Sequence, residues 1–224
     1  MQLRLLVPVA LAVTAALPRP MQQKDIGALV DKAVAAHGRL RTVRATFEQR
    51  LTNPLTGTTV VQRGRVQQRL PNHLALDFTD PKGDRIVADG SSLWVYTPSA
   101  APNQVIKLPI GAGSAGGLDL AGQFFRSPKT RYAITDAGAA TVGGRATRGL
   151  HLVPKEPMQF SKAIVWIDTA DGTLRQFEVT EPTGLVRRVT LSEIRPNAAV
   201  DRNAFTFTVP KGVRVYDQRA LTGN

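Results

Sequence analysis

Three histidines, His37, His73 and His151, are the side chains in this sequence best suited to moving a proton near neutral pH. They lie far apart, and none sits in an H-E-x-x-H or similar metal-ligand spacing. No serine occupies a G-x-S-x-G elbow, and Ser91-Ser92 follow Asp89-Gly90 in what reads as a hairpin turn. Cysteine is absent, which argues against disulfides, thiolate zinc, a catalytic thiol or a lipid carried on cysteine. One formal motif remains: Gly111-Ala112-Gly113-Ser114-Ala115-Gly116 satisfies G-x-G-x-x-G, follows a strand-like Val105 to Leu108, and has Asp136 about 20 residues further on. A dinucleotide fold requires parallel strands covered by helices on both faces. Here Pro109 separates strand from glycines and the other strands are joined by hairpins, so the run reads as a loop or lid hinge. The residues therefore predict no catalytic set, metal or cofactor.

Charge offers a different kind of chemistry. The chain has 29 Lys plus Arg against 17 Asp plus Glu, a formal net charge of +12, and 21 of the basic residues are Arg. Such an excess favours anionic partners without choosing among them. Arg63, Arg65 and Arg69 share one face of a strand, but no aromatic residue between positions 61 and 71 could stack on a base. The row is expected to dock an acidic partner rather than nucleic acid.

The elements that would position these residues follow from periodicity. Ile26, Leu29, Val30, Ala33, Val34 and His37 recur at three- and four-residue steps and predict an amphipathic helix with Gly38 at its C-terminal cap. Beyond it the period is two. Val43, Ala45 and Phe47 alternate with polar neighbours; so do Gly64, Val66 and Leu70, and then Leu74, Leu76 and Phe78. Strands that are dry on one face and wet on the other indicate an antiparallel sheet. Asn53-Pro54, Pro81-Lys82-Gly83, Asp89-Gly90, Gly143-Gly144, Asp171-Gly172 and Pro182-Thr183-Gly184 supply the turns. A basic face backing an apolar one suggests a single large sheet curling around something. The other helical candidate, Leu118 to Arg126, is short and apolar.

The start of the chain has its own pattern. Met1-Gln2-Leu3-Arg4 brings one positive charge, Leu5 to Leu17 is an apolar run, and Thr14-Ala15-Ala16 supplies small residues. This is the anatomy of a secretory signal, and the run is shorter than the ~20 residues a spanning helix needs. Residues 1–20 are expected to be a signal peptide and 21–224 a single exported domain.

Several stretches resemble one family. Phe47-Glu48-Gln49, Gly64, Pro71, Asp89-Gly90-x-x-Leu93-Trp94-x-Tyr96-x-Pro98 and Gln104 are similar, in order, to the outer-membrane lipoprotein carriers of the LolA type. Trp166-Ile167-Asp168 with Asp171-Gly172 continues the likeness. So does the close, Phe205-Thr206-Phe207-x-x-Pro210-x-Gly212-Val213-x-Val215-x-Asp217-Gln218. The resemblance implies a mainly β fold: an incomplete, half-open antiparallel barrel with a few short helices lidding an apolar cavity. It implies a monomeric periplasmic carrier that makes and breaks no bond. Its partners would be acylated lipoproteins, an inner-membrane ABC-type releasing complex and an outer-membrane receptor.

On that reading Leu70, Leu74, Leu76, Phe78, Trp94, Leu118, Leu120, Phe124 and Phe125 are expected to contact acyl chains, with Gly111 to Gly117 as the lid's hinge. One position departs from the family pattern: where an arginine commonly precedes the proline matched by Pro71, this chain has Leu70. Alternation predicts Leu70 inside the chamber and Arg69 on the outer surface. Two other readings stay open, a lipoprotein-sensing regulatory domain of the same fold and an exported lipid-modifying enzyme.

Overall fold

A computed structural model describes residues 22–110 and 119–218. The signal-like segment, Leu118 and the Gly111 to Gly117 run lie outside the described residues. Helix α1 (Gln23–Gly38) leads into six strands, β1 (Thr42–Asn53), β2 (Thr58–Arg69), β3 (His73–Asp80), β4 (Lys82–Asp89), β5 (Ser92–Tyr96) and β6 (Gln104–Pro109). Two short helices follow, α2 (Gly122–Phe125) and α3 (Pro128–Arg131). Then come β7 (Tyr132–Val142), β8 (Arg145–Pro154), β9 (Lys162–Asp168), β10 (Leu174–Thr180) and β11 (Val186–Pro196). A 3-10 turn (Arg202–Phe205) and β12 (Arg214–Asp217) complete the described chain.

All twelve strands form one sheet in the order β12-β6-β5-β4-β3-β2-β1-β11-β10-β9-β8-β7. The two halves join where β1 pairs with β11, antiparallel, with Phe47 opposite Leu191. The outer strands β12 and β7 do not pair with each other, so the barrel stays open. One pairing departs from the antiparallel expectation: β12 runs parallel to β6. A parallel neighbour requires a long crossover, and here the chain from residue 197 to 213 makes it after leaving β11 on the other side of β1.

Packing explains why the sheet curves around α1. Ile26, Leu29, Val30 and Ala33 of the helix are buried in one cluster with Phe47, Val66, Leu74, Phe78, Leu150, Val165, Ile167 and Phe177 from the strands. Gly64 makes room at the centre of this face. A Cβ there would lie 2.8 Å from the Phe47 ring and 2.4 Å from the Asp77 carbonyl oxygen. The bare backbone thus lets Phe47 meet Phe78 edge-on, with centroids 5.3 Å apart.

Three details differ from the sequence reading. Gly38 lies within α1; the cap is Arg39 in the right-handed helical region, and the Leu40 N–H returns to the His37 carbonyl at 3.0 Å. The predicted helix over 118–126 is only the four residues of α2, with Ser127 in the left-handed region before Pro128 opens α3. Ala75, on the face of β3 opposite Leu74 and Leu76 that alternation leaves to solvent, is fully buried because the 3-10 turn brings Ala204 and Phe205 across the convex side. Alternation describes a strand, but not what a distant part of the chain lays over it.

Asp168 closes the β9 end. It is 1% exposed, with Arg145 Nε at 2.8 Å and Arg175 at 2.9 Å from Oδ2. Burial raises its carboxyl, but Arg145, the Ala170 N–H and Arg175 outweigh that and hold it at about 2, below the ordinary 3.8. A carboxylate depressed in the folded state stabilises the fold above its unfolded pKa and ceases to do so as pH falls through the folded one. Asp168→Asn is expected to cost about 1–2 kcal/mol at pH 7, a figure reduced for the screening that half-exposed Arg145 allows. Denaturant titrations should also show a shallower loss of stability for the variant than for the wild type between about pH 4 and about pH 2.

Candidate functional site

The concave side holds two hollows on either side of Leu120. The larger, about 450 Å³, is walled by Phe47, Leu76, Phe78, Ile86, Leu120, Phe160, Phe177, Val179 and Val189. Its polar members are Gln49, Gln123, Gln159, Glu181 and Arg187. Arg187 and Glu181 pair at 3.1 Å, and the Gln49 amide donates to the Gln62 side-chain oxygen at 2.7 Å. An apolar pocket of some hundreds of Å³ with few polar groups is the usual form of a ligand site. The smaller hollow, about 70 Å³, lies under the other flank of Leu120 and is bounded by Val66, Leu70, Phe125, Leu191, His37 and Asp119. A third depression, about 650 Å³, is an open groove between α1 and strands β7 and β8, floored by Ala139, Ala140 and Ala146.

A buried polar tie fastens the cover. His37 Nε2 of α1 lies 2.9 Å from Asp119 Oδ2, and the other carboxylate oxygen accepts the Gly122 N–H at 2.9 Å. Asp119 is 2% exposed. Burial raises its carboxyl, yet the hydrogen bond and charge of His37, the Gly122 N–H and Arg126 bring it below the ordinary carboxylate value. A Cβ on residue 122 would lie 2.1 Å from Asp119 Oδ2, so glycine is what admits the carboxylate there. Through this tie α1 anchors α2, whose Phe124 packs on Phe160 and Phe177 with centroids 6.1 and 5.2 Å away. The histidine expected to have no chemical role thus has a structural one, and Asp119 was not singled out from the sequence at all.

The structure divides the residues singled out from sequence. Leu76 and Phe78 wall the larger hollow, Leu70 and Phe125 the smaller one, and Leu120 both. Leu74 and Phe124 are packed in the core, 5% and 0% exposed, with neither hollow reaching them. Leu118 is outside the described residues. Arg69 lies across the strand from Leu70's side, its guanidinium 5.1 Å from the Phe205 ring centroid on the convex surface. Arg63 is engaged by Glu48 at 3.0 Å and Asp80 at 3.4 Å, while Arg65 is exposed. The arginine row is therefore less open than its sequence suggests.

Trp94 requires correction. Its ring stacks on Phe207 at 5.5 Å, with the Lys107 ammonium 4.9 Å from the ring centroid, and its indole N–H donates to Asp89 at 2.8 Å. It belongs to the convex side; its neighbour Leu93 packs against the core instead. Asp89 also accepts the Ser91 and Ser92 N–H groups at 2.8 and 2.7 Å. Burial pushes its carboxyl up, but these donors together hold it at about 2. The D-G-x-x-L-W signature is thus a turn clamp that fixes strand register. Phe47, Ile86, Phe160, Phe177, Val179 and Val189 were missed as wall residues. For Phe177 the signal was blurred by the register shift in β10 between Leu174 and Gln176, which interrupts the two-residue period.

Known proteins point the same way. The family model for the outer membrane lipoprotein carrier protein LolA matches residues 38–112 and 131–208. The chain belongs to the LolA family. An outer-membrane lipoprotein carrier protein of Pectobacterium carotovorum is 29% identical over 84% of this chain and 89% of its own length. One from Chromobacterium violaceum is 30% identical over 92% of this chain and 94% of its own. The crystal structure of an uncharacterized conserved protein from Thermus thermophilus superposes with a TM-score of 0.53 at 13% identity, covering 86% of this chain and 99% of that one, a likeness of fold alone. LolA-family membership makes the chain a binding protein, not an enzyme. Trp94→Ala is expected to lower stability by about 3 kcal/mol while leaving uptake of apolar ligand by the folded protein unchanged; calorimetry and ligand titration on the same sample separate the two.

Proposed function

We propose that this protein is a periplasmic lipoprotein carrier: it shelters the acyl chains of lipoproteins leaving the inner membrane and delivers them to an outer-membrane receptor. Residues 1–20 direct export and 21–224 form the working domain. The observation that carries this reading is a largely apolar hollow of about 450 Å³ on the concave side of a LolA-family sheet. Each methylene withdrawn from water contributes about 0.8 kcal/mol, so a lipoprotein's acyl chains hold it in the bilayer unless a partner supplies comparable cover. Leu76, Phe78, Ile86 and Phe177 offer that cover. Leu120 and Phe125 border the hollows from the lid side, and opening them requires breaking the contacts of α2.

Release is the second half of the task. Cargo binding must displace Leu120 and strain the His37–Asp119 tie, which subtracts from the gain of burying the chains and keeps the complex reversible. Leu70, standing where the family commonly has arginine, leaves the wall opposite Asp119 apolar, and the tie to the lid falls to His37 instead. An inner-membrane ABC-type complex loads the carrier, and the receptor unloads it.

Incubating purified protein with spheroplasts tests this. An acylated lipoprotein should appear in the soluble fraction in complex with the carrier, and should then pass to outer-membrane vesicles. Leu76→Glu and Ile86→Glu, both at half-buried wall positions, are expected to reduce release at least tenfold while the protein remains folded. Release that survives both substitutions, or cargo that loses its acyl groups, contradicts the proposal.

A further inference from the structure

The β1–β2 hairpin differs from the rest of the surface. Leu55 at its tip is 88% exposed and Val60 is 56% exposed. From Leu51 to Gln62 there is no charged residue, in a chain where 21% of residues are charged, and the stretch is bounded by Arg50 and Arg63. Leu51 lies directly opposite Val60 in the ladder and continues the concave side beyond the Gln49–Gln62 bond at the edge of the larger hollow. The neighbouring turn between β10 and β11 comes close to the tip, since a Cβ on residue 184 would lie 3.7 Å from the Pro54 ring. Glu181 and Arg187, which flank that turn, line the same hollow.

Polar groups at the tip are already partnered. The Asn53 side-chain oxygen accepts the Leu55 N–H at 2.9 Å. Thr52 and Thr59 hydroxyls bond across the ladder at 3.0 Å, and Thr56 and Thr58 at 2.7 Å. Backbone and hydroxyl groups that find partners internally cost less to remove from water. Arg50 and Arg63, each about half-exposed, stand at the base. Both are paired there, Arg50 with Glu48 at 2.8 Å and Arg63 with Glu48 at 3.0 Å and Asp80 at 3.4 Å. Leu55 is five residues from Arg50, on the order of 15 Å of strand, whereas interfacial segments bury themselves about 5–10 Å deep. An uncharged shaft of that length, with an apolar tip and an ion-paired base, matches the layering of a phospholipid surface.

We propose that the β1–β2 hairpin is a membrane-contact tip, which inserts Leu55 into the interfacial layer of a phospholipid bilayer. The ion pairs of Arg50 and Arg63 with Glu48 and Asp80 lie at headgroup level, and the concave hollow is held beside the membrane where loading and unloading take place. The contact belongs to the empty protein and does not depend on cargo binding.

Flotation of the purified protein with phosphatidylethanolamine–phosphatidylglycerol vesicles tests it. Leu55→Glu is expected to weaken partitioning about tenfold or more, whereas Val153→Glu, at another exposed apolar position, should leave it unchanged. Because the chain has no cysteine, Leu55→Cys can carry a single environment-sensitive dye, whose emission should shift to the blue on adding vesicles. Equal partitioning of Leu55→Glu and wild type, absence of vesicle binding by the wild type, or a dye that reports only water overturns the proposal. Formation of a soluble lipoprotein complex is read separately, so a failed tip and a failed carrier reading remain distinguishable.

Discussion

An open sheet cannot finish its own core, and this constraint governs the molecule. A closed barrel would fill its interior with its own side chains and leave no free edge. Here the twelve strands end in β12 on one side and β7 on the other, so helices must cover the concave apolar side. Helix α1 covers part of it well, placing Ile26, Leu29, Val30 and Ala33 in the common core. The four residues of α2 cover the remainder incompletely. The hollow beside Leu120 is what that incomplete cover leaves.

The cover is held by a different kind of force from the one that holds the sheet. Aromatic and aliphatic packing on the concave side is extensive and undirected, while α2 is placed by a few directional bonds, from His37 and the Gly122 N–H to Asp119 and from the Tyr132 hydroxyl to the Gln123 carbonyl, together with the Phe124 contacts. A buried hydrogen-bonded pair contributes little net stability but is costly to leave half-formed. It therefore specifies where the cover sits without making the cover tight. That division suits a binding protein, whose shell must persist while its lid yields.

The fold was largely legible because its signals are local. A period of 3.6 over Ile26 to His37 and a period of two through Phe47, Val66 and Phe78 gave helix and strands, and glycine-bearing turns gave the hairpins. What escaped was long-range. Nothing near Ala75 announces that Phe205 will cover it, and nothing near Trp94 reveals Phe207. The parallel pairing of β12 with β6 is equally invisible to periodicity. The hollow was only partly legible: Leu76 and Phe78 of the alternating strand and Leu120 of the short apolar segment line it, whereas Leu74 and Phe124 are packed in the core. Asp119 acquired its importance only from a histidine more than eighty residues earlier in the chain.

The central claim is that alkyl chains occupy the hollow on the concave side. A crystal structure of the protein with a terminally brominated fatty acyl chain tests it most directly, because the anomalous signal locates the chain's end. The account predicts bromine among Phe47, Phe78 and Phe177, with Leu120 displaced; bromine in the outer groove between α1 and β7, or none anywhere on the concave side, would contradict it.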